Sequence, residues 1–132
     1  MALQYSIAVN NARLDAIEST IGTSAKLRIY TGSAPANAAA AATGTLLIEI
    51  ALPSDWMAAA SSASKVKAGT WSGTASGTGL GGYFRIVDNA GTTTGVQGTV
   101  GTSGTEMILD NNNIATSQVV TVNSFTLNSA NT

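Results

Sequence analysis

The sequence predicts a mainly β protein, an antiparallel β-sandwich or barrel of jelly-roll-like form, with one α-helix at the N-terminus. Short segments of alternating apolar and polar residues recur after residue 23, and Gly, Asn, Ser and Asp separate them. A helical period occurs only at the start, so helices and strands do not alternate as in a parallel α/β fold. The 132 residues suit one domain. We expect an N-terminal helix or arm over residues 1–22 and a single β-rich domain over 23–132.

The first element is a helix predicted over residues 4–21. Apolar side chains three, four or seven positions apart share one face with Asn10: Ile7, Leu14, Ile17 and Ile21. Asn11, Asp15 and Glu18 form a polar stripe on another face, and Gly22 follows where a helix C-cap is expected. This pattern fits a helix packed on its own sheet, and it also fits an arm docked on a partner subunit.

Two strands and an uncharged connector follow the helix. Residues 25–31 alternate, which places Leu27 and Ile29 on one face of a half-buried strand. The connector, residues 31–44 with the sequence TGSAPANAAAAATG, has no group that titrates near neutral pH. Asn37 is expected to cap a single turn in it, and its small residues to lie flat against a neighbouring surface. Residues 45–52 are apolar on both faces, which predicts a central strand.

The rest of the chain predicts further strands at short spacing. After Pro53, a short helical turn is expected to carry Trp56 and Met57. Alternation then predicts strands over residues 65–71, 82–88, 92–100, 106–110 and 117–127, about seven in all with the two before them. Residues 72–82 predict a flexible glycine-rich loop, and 89–91 a tight turn with glycine at a positive φ.

Composition argues against several classes of function. The net charge is −1 and only 10% of residues are charged, whereas a nucleic-acid-binding domain usually carries a basic excess. No apolar run is long enough to span a membrane, and the first residues do not resemble a secretory signal. Cysteine and histidine are absent, so the chain lacks thiolate and imidazole groups for metal binding and acid–base catalysis. We therefore expect no enzyme activity, cofactor or metal, and no nucleic-acid or membrane partner.

Three motifs contain residue types found at chemical sites, and each has a simpler structural interpretation. Residues 77–82 match G-x-G-x-x-G, but a dinucleotide site requires a helix after them and the sequence predicts a strand. The run at residues 110–113 lacks the frame of an EF-hand loop, so it is expected to form a turn. Paired carboxylates can act as catalytic acids, but most of the five candidates fall at turns or caps, which explains them without catalysis: Glu49, Asp55, Asp88, Glu106 and Asp110.

The candidate interface combines the helix with the largest apolar side chains. Its members are Leu14, Ile17, Ile21, Trp56, Met57 and Trp71. Core packing is the default for the last three, and an interface is the alternative, because aromatic residues and Met are enriched at contact cores. Four basic residues could share one solvent face as a docking patch for an acidic subunit: Lys26, Arg28, Lys65 and Lys67.

Several strings spanning most of the chain carry a resemblance to a known group: ARLDAIESTIG at 12–22, SAKLRIYTGSAPANAAAAATGT at 24–45, LPSDWMAAASSASK at 52–65, GTW at 69–71 and YFRIVDNAGTTTGVQGTV at 83–100. In these strings the chain resembles small structural proteins of tailed-phage virions. The resemblance implies a decoration, or cement, protein that binds the major capsid protein on the outer shell. It implies location on the virion after synthesis in the host cytoplasm, and it carries over no catalytic residue.

Three functions remain open from the sequence. The first is a capsid decoration protein that assembles as a homo-oligomer, with a trimer favoured. The second is a tail, baseplate or fibre protein of the same virion. The third is a carbohydrate-binding module, in which Trp56, Trp71 and Tyr83 would have to be exposed for sugar stacking.

Overall fold

The computed structural model describes residues 3–129, so the outermost parts of the two predicted ranges, residues 1–2 and 130–132, lie outside the described residues. Helix α1 spans Ile7–Ile21. The strands are β1 Lys26–Thr31, β2 Leu46–Ala51, β3 Ser64–Val66, β4 Ser72–Thr74, β5 Gly79–Val87, β6 Thr94–Gly101, β7 Met107–Leu109, β8 Asn113–Ile114 and β9 Val119–Asn128. Within this range, no helix has the length and apolar character that a membrane crossing requires.

The mainly β class with one N-terminal helix is confirmed. The nine strands form one mixed sheet that curls into a half-barrel, in the order β2-β1-β5-β6-β7-β9-β3, while β4 pairs with β9 and β8 with β5. The described strand pairs are antiparallel except β6–β7. That parallel contact joins only Val100 to Met107 and Gly101 to Ile108.

The core lies inside the curl of the sheet and is organised around four aromatic rings. The ring centroid of Trp71 lies 6.0 Å from that of Trp56 and 5.7 Å from that of Phe125. Phe125 meets Phe84 edge to face at 5.4 Å. These side chains come from the segment after β2, the segment before β4, strand β5 and strand β9, so one aromatic cluster joins distant parts of the chain.

Residues 72–82 are not the flexible loop that the sequence predicted, since they contain β4 and the start of β5. Their glycines allow close backbone contact. The register of β1 with β5 passes from Tyr30–Tyr83 to Thr31–Gly81, which leaves Gly82 as an extra residue in a bulge. A Cβ on Gly82 would collide with the carbonyl oxygen of Gly32. Glycine here therefore serves packing of the sheet, not mobility.

The prediction that residues 45–52 form a central strand is wrong, because β2 lies at the end of the strand order. Its apolar character has another cause. Strand β4 packs against β2, and a Cβ on Gly73 would lie 3.0 Å from Cγ1 of Ile50. The Leu47 carbonyl also accepts the N–H groups of Ser76 at 2.9 Å and Gly77 at 3.0 Å. The edge strand is thus covered by the glycine-rich segment.

Candidate docking surface

Helix α1 is attached to the sheet through its polar stripe. Each member accepts a backbone N–H from the segment 57–63: Asn11 from Ala63 at 2.9 Å, Asp15 from Ala60 at 3.0 Å and Glu18 from Met57 at 3.0 Å. The other edge of that segment bonds to the chain around β3, where Ala58 N–H donates to the Val66 carbonyl at 2.8 Å. The stripe thereby satisfies donors that would otherwise stay unpaired at this edge.

Lys65 extends this attachment with a buried charge. Its side chain is 2% exposed, and its ammonium lies 2.7 Å from Asp15 Oδ1, 3.0 Å from Glu18 Oε1 and 2.8 Å from the Ala58 carbonyl. Burial alone would lower the pKa of Lys65, but the bonds to Asp15 and Glu18 outweigh it and raise that pKa above its usual value. The bond from Lys65, helped by the Ala60 N–H, lowers the pKa of Asp15. Both groups therefore remain charged at neutral pH.

With its carboxylates facing Lys65, helix α1 presents mostly uncharged side chains to solvent. Val9, Ala12 and Ala16 are exposed and lie on one helix face, three and four positions apart. Leu3, Tyr5 and Ile7 are also exposed, but Ile7 lies two positions from Val9 and therefore on a different helix face. We call Val9, Ala12 and Ala16 the docking surface. Arg13 lies beside it, with its guanidinium carbon 4.8 Å from the centre of the Tyr5 ring. Uncharged side chains exposed together on one helix face are typical of protein contact sites.

The sequence-predicted interface residues lie elsewhere. Leu14, Trp56, Met57 and Trp71 are buried within a single chain, which is the core position that was the default for the last three. Ile17 and Ile21 are half-buried, and Ile21 lies directly over Gly95. The exposed residues Leu3 and Tyr5 before α1 and Val9 within it were not expected from the sequence. The available signal was the period of two at Leu3, Tyr5, Ile7 and Val9, which does not fit one face of a helix.

The four basic residues do not share one face, contrary to the sequence expectation. Lys26 and Arg28 lie on β1 and pair with Glu49 of β2 at 3.9 Å and 2.7 Å. Lys65 is buried beneath α1, and Lys67 donates to the Gly69 carbonyl at 2.9 Å. They are divided because β1 and β3 lie far apart in the strand order. They therefore form no common docking patch.

The connector lies flat on a surface, as expected, and that surface is the outer face of its own sheet. Asn37 caps the single turn, accepting the N–H groups of Ala39 at 3.0 Å and Ala40 at 2.9 Å. Three side chains of β5 and β6 hold the connector backbone. Tyr83 donates to the Thr43 carbonyl at 2.6 Å, Arg85 to the Ala40 carbonyl at 2.7 Å and Gln97 to the Pro35 carbonyl at 2.9 Å.

Asp88 and Glu106 make structural hydrogen bonds. Asp88 accepts the N–H groups of Thr93 and Thr92 in the β5–β6 turn, and these bonds lower its pKa. The hydroxyl of Thr99 does the same for Glu106, at 2.5 Å. Within residues 3–129, no group of three or more acidic side chains is placed to hold a metal ion.

The aromatic platform of a carbohydrate-binding module is not formed by the three residues considered for it. Trp56, Trp71 and Tyr83 are all fully buried. Comparison with known protein families, curated proteins and solved structures finds no match to this chain.

Proposed function

We propose that this chain is a non-enzymatic structural protein of a tailed-phage virion, and that it binds the outer capsid shell as a decoration protein. The docking surface on α1 carries this proposal. A helix that directs its carboxylates toward its own domain and exposes Val9, Ala12 and Ala16 is arranged to contact another protein. The strings that resemble virion proteins support the same conclusion.

The partner in this proposal is the major capsid protein, and the copies assemble as a homo-oligomer, with a trimer favoured. A shell presents the same site many times, so an oligomer binds several sites at once. Avidity then allows each individual contact to be small and weak. The small side chains of Ala12 and Ala16 permit close approach to a flat partner surface.

The test is cosedimentation of the purified protein with phage heads that lack it. Wild-type protein should bind saturably, at a fixed ratio to the major capsid protein. Val9→Asp should weaken binding by about tenfold or more, because it places a charge in a desolvated contact. Val9 lies in the first turn of α1, where an acidic residue is compatible with the helix dipole, so the fold should persist.

Val119→Asp is the matched control. Val119 is 61% exposed and Val9 is 44% exposed, so both substitutions are made at exposed valines. Val119 begins β9, whereas Asn10 of α1 bonds to Ser129, just after the other end of β9, so the control lies away from the helix. This variant should bind heads like wild type. Loss of binding in Val119→Asp but not in Val9→Asp would place the contact at the opposite end of the sheet. Failure of the wild type to bind heads, together with self-assembly, would favour a tail, baseplate or fibre protein.

A further inference from the structure

Arg85 is a buried cation without a carboxylate partner in the described part of the chain. Its side chain is 5% exposed. The guanidinium donates to neutral oxygens only: the Ala40 carbonyl at 2.7 Å, Gln97 Oε1 at 3.1 Å and the Thr94 hydroxyl at 3.4 Å. These bonds use three of its five N–H groups. A buried charge is strongly disfavoured unless an opposite charge compensates it, so the environment of Arg85 lacks an anion.

A groove of about 570 Å³ opens beside Arg85, between the connector and the β5–β6 turn. Its polar side chains are the guanidinium groups of Arg28 and Arg85 and the hydroxyl groups of Tyr30 and Thr92–Thr94. The rest of the lining is mainly the alanines of the connector, and none of the described lining residues is acidic. Hydrogen-bond donors and positive charge therefore converge on one space.

Arg28 is placed to share an anion with Arg85. Its Nε donates to Glu49 at 2.7 Å, which leaves the terminal nitrogens Nη1 and Nη2 outside that bond. Those nitrogens lie against Gly91, where a Cβ would collide with Nη2. Glycine at this turn, with φ of 72°, therefore keeps the space that the guanidinium occupies.

The carboxylates near the groove are already engaged. Glu49 is shared by Arg28 and Lys26. Asp88 is bonded within its own turn, to the N–H and hydroxyl of Thr92 and the N–H of Thr93. Neither compensates Arg85, so the positive charge at the groove exceeds the negative charge available to it.

We infer that this groove binds an oxyanion group, a phosphate or a carboxylate, between Arg28 and Arg85. Guanidinium groups match the planar and tetrahedral geometry of these anions and bond them strongly. The alanine connector forms one wall and the threonine turn the other, which limits the site to a small anionic group. This inference does not depend on capsid binding, and it is tested on the free protein.

The test is a titration followed by nuclear magnetic resonance, with inorganic phosphate as the first probe and acetate as the second. Chloride keeps the ionic strength constant. Saturable shifts are expected at the guanidinium Nε–H groups of Arg28 and Arg85 and at the amides of residues 92–94. Saturation by phosphate alone identifies a phosphate ligand, saturation by acetate alone identifies a carboxylate, and saturation by both shows a site that accepts either oxyanion. Shifts that do not saturate, or that spread over the surface, would overturn the inference.

Two variants separate binding from structure. Arg28→Gln should weaken phosphate binding by about tenfold, since it removes a charge-assisted contact. Glu49→Gln should strengthen binding by about threefold, because it releases Arg28 from its competing carboxylate. A purely structural role for Arg28 predicts no such gain. Lys67→Gln removes a cation outside the groove lining, so its phosphate binding should match that of the wild type. Equal weakening by Lys67→Gln would show general electrostatic attraction to the protein instead of a site.

Discussion

At the scale of single residues, Lys65 shows how a charge can be kept inside a protein that has few charges. All three of its ammonium hydrogens have an acceptor, and two of the acceptors are carboxylates from the same helix. Desolvation opposes this arrangement, and the ion pairs compensate it. Because the carboxylates come from α1, this one side chain also fixes the position of the helix.

Replacing Lys65 tests that role. Lys65→Met keeps much of the side-chain volume but removes the charge, so we expect the free energy of unfolding to fall by about 2 kcal/mol. This loss should lie near the lower end of the range seen when a buried ion pair is broken, because water can reach Asp15, whose side chain is 49% exposed. Urea unfolding at pH 7 measures it.

Lys67→Met is the control for this substitution. Lys67 is half-buried, lies two residues away, donates to the Gly69 carbonyl and has its ammonium 5.9 Å from the centre of the Trp71 ring. Its replacement should therefore change the unfolding free energy by less than about 1 kcal/mol. Equal effects of the two substitutions would contradict a special role for the Lys65 cluster.

At the scale of elements, the connector shows that side-chain hydrogen bonds can fix an irregular segment to a sheet. Tyr83 both donates to the Thr43 carbonyl and accepts the Thr43 N–H, at 2.6 Å and 3.0 Å. Its ring stacks on Tyr30 with centroids 5.0 Å apart. The connector thus covers two tyrosines that would otherwise expose their rings on the outer face of the sheet.

Removing one hydroxyl should loosen this segment without unfolding the sheet. In Tyr83→Phe we expect amide hydrogen exchange at Thr43 to accelerate by about tenfold, and global stability to fall by only about 1 kcal/mol, since exposed Thr43 can bond to water. Tyr30→Phe keeps the ring stack and should leave Thr43 exchange unchanged. Unchanged exchange in Tyr83→Phe would mean that the hydroxyl does not hold the connector.

Periodicity predicted the elements well where side chains alternate and poorly where glycine dominates. The helix, β1, β5 and β9 were expected close to their observed positions, because apolar spacing reports directly on burial. Strands β4 and β8 were missed. In β4, Gly73 carries no side chain to alternate, and its role appears only when β2 lies against it. Strand β8 has two residues, which are too few to show a period.

The candidate site was predicted less well, for a related reason. The sequence identified Asn11, Asp15 and Glu18 as one polar face of the helix, and such a face normally meets solvent. Here it meets backbone donors of the segment 57–63. Nothing in the local sequence of α1 reveals that edge, so the exposed and attached faces could not be told apart before the fold was known.

At the scale of the whole molecule, the absence of histidine and the pKa values of the carboxylates set the pH response. No histidine is present to titrate between pH 5 and 8, so stability should change little there. Bonding lowers the pKa of Asp15, Asp88 and Glu106 in the folded state. Their contribution is therefore complete above the unfolded-state values of about 4 and is lost as the pH falls through the lower, folded-state values.

We accordingly expect urea unfolding to give a constant free energy down to about pH 5 and a decline below about pH 4. Lys65→Met should show a shallower decline, because Asp15 then lacks the bond that most lowers its pKa. A free energy that rises below pH 4 would contradict the assignment of these bonds to the folded state.

The position of β9 has a consequence for synthesis of the protein. Strands β3, β4 and β7 all pair with β9, which follows them in the chain. As a ribosome releases the chain in order, β1, β2, β5 and β6 can pair early. Before β9 emerges, β3 and β4 lack their described strand partner, and β7 has only its short contact with β6. Until β9 emerges, the aromatic cluster lacks the side chain that β9 contributes, so nascent chains would expose apolar surface. They would then depend on prompt release or on chaperones.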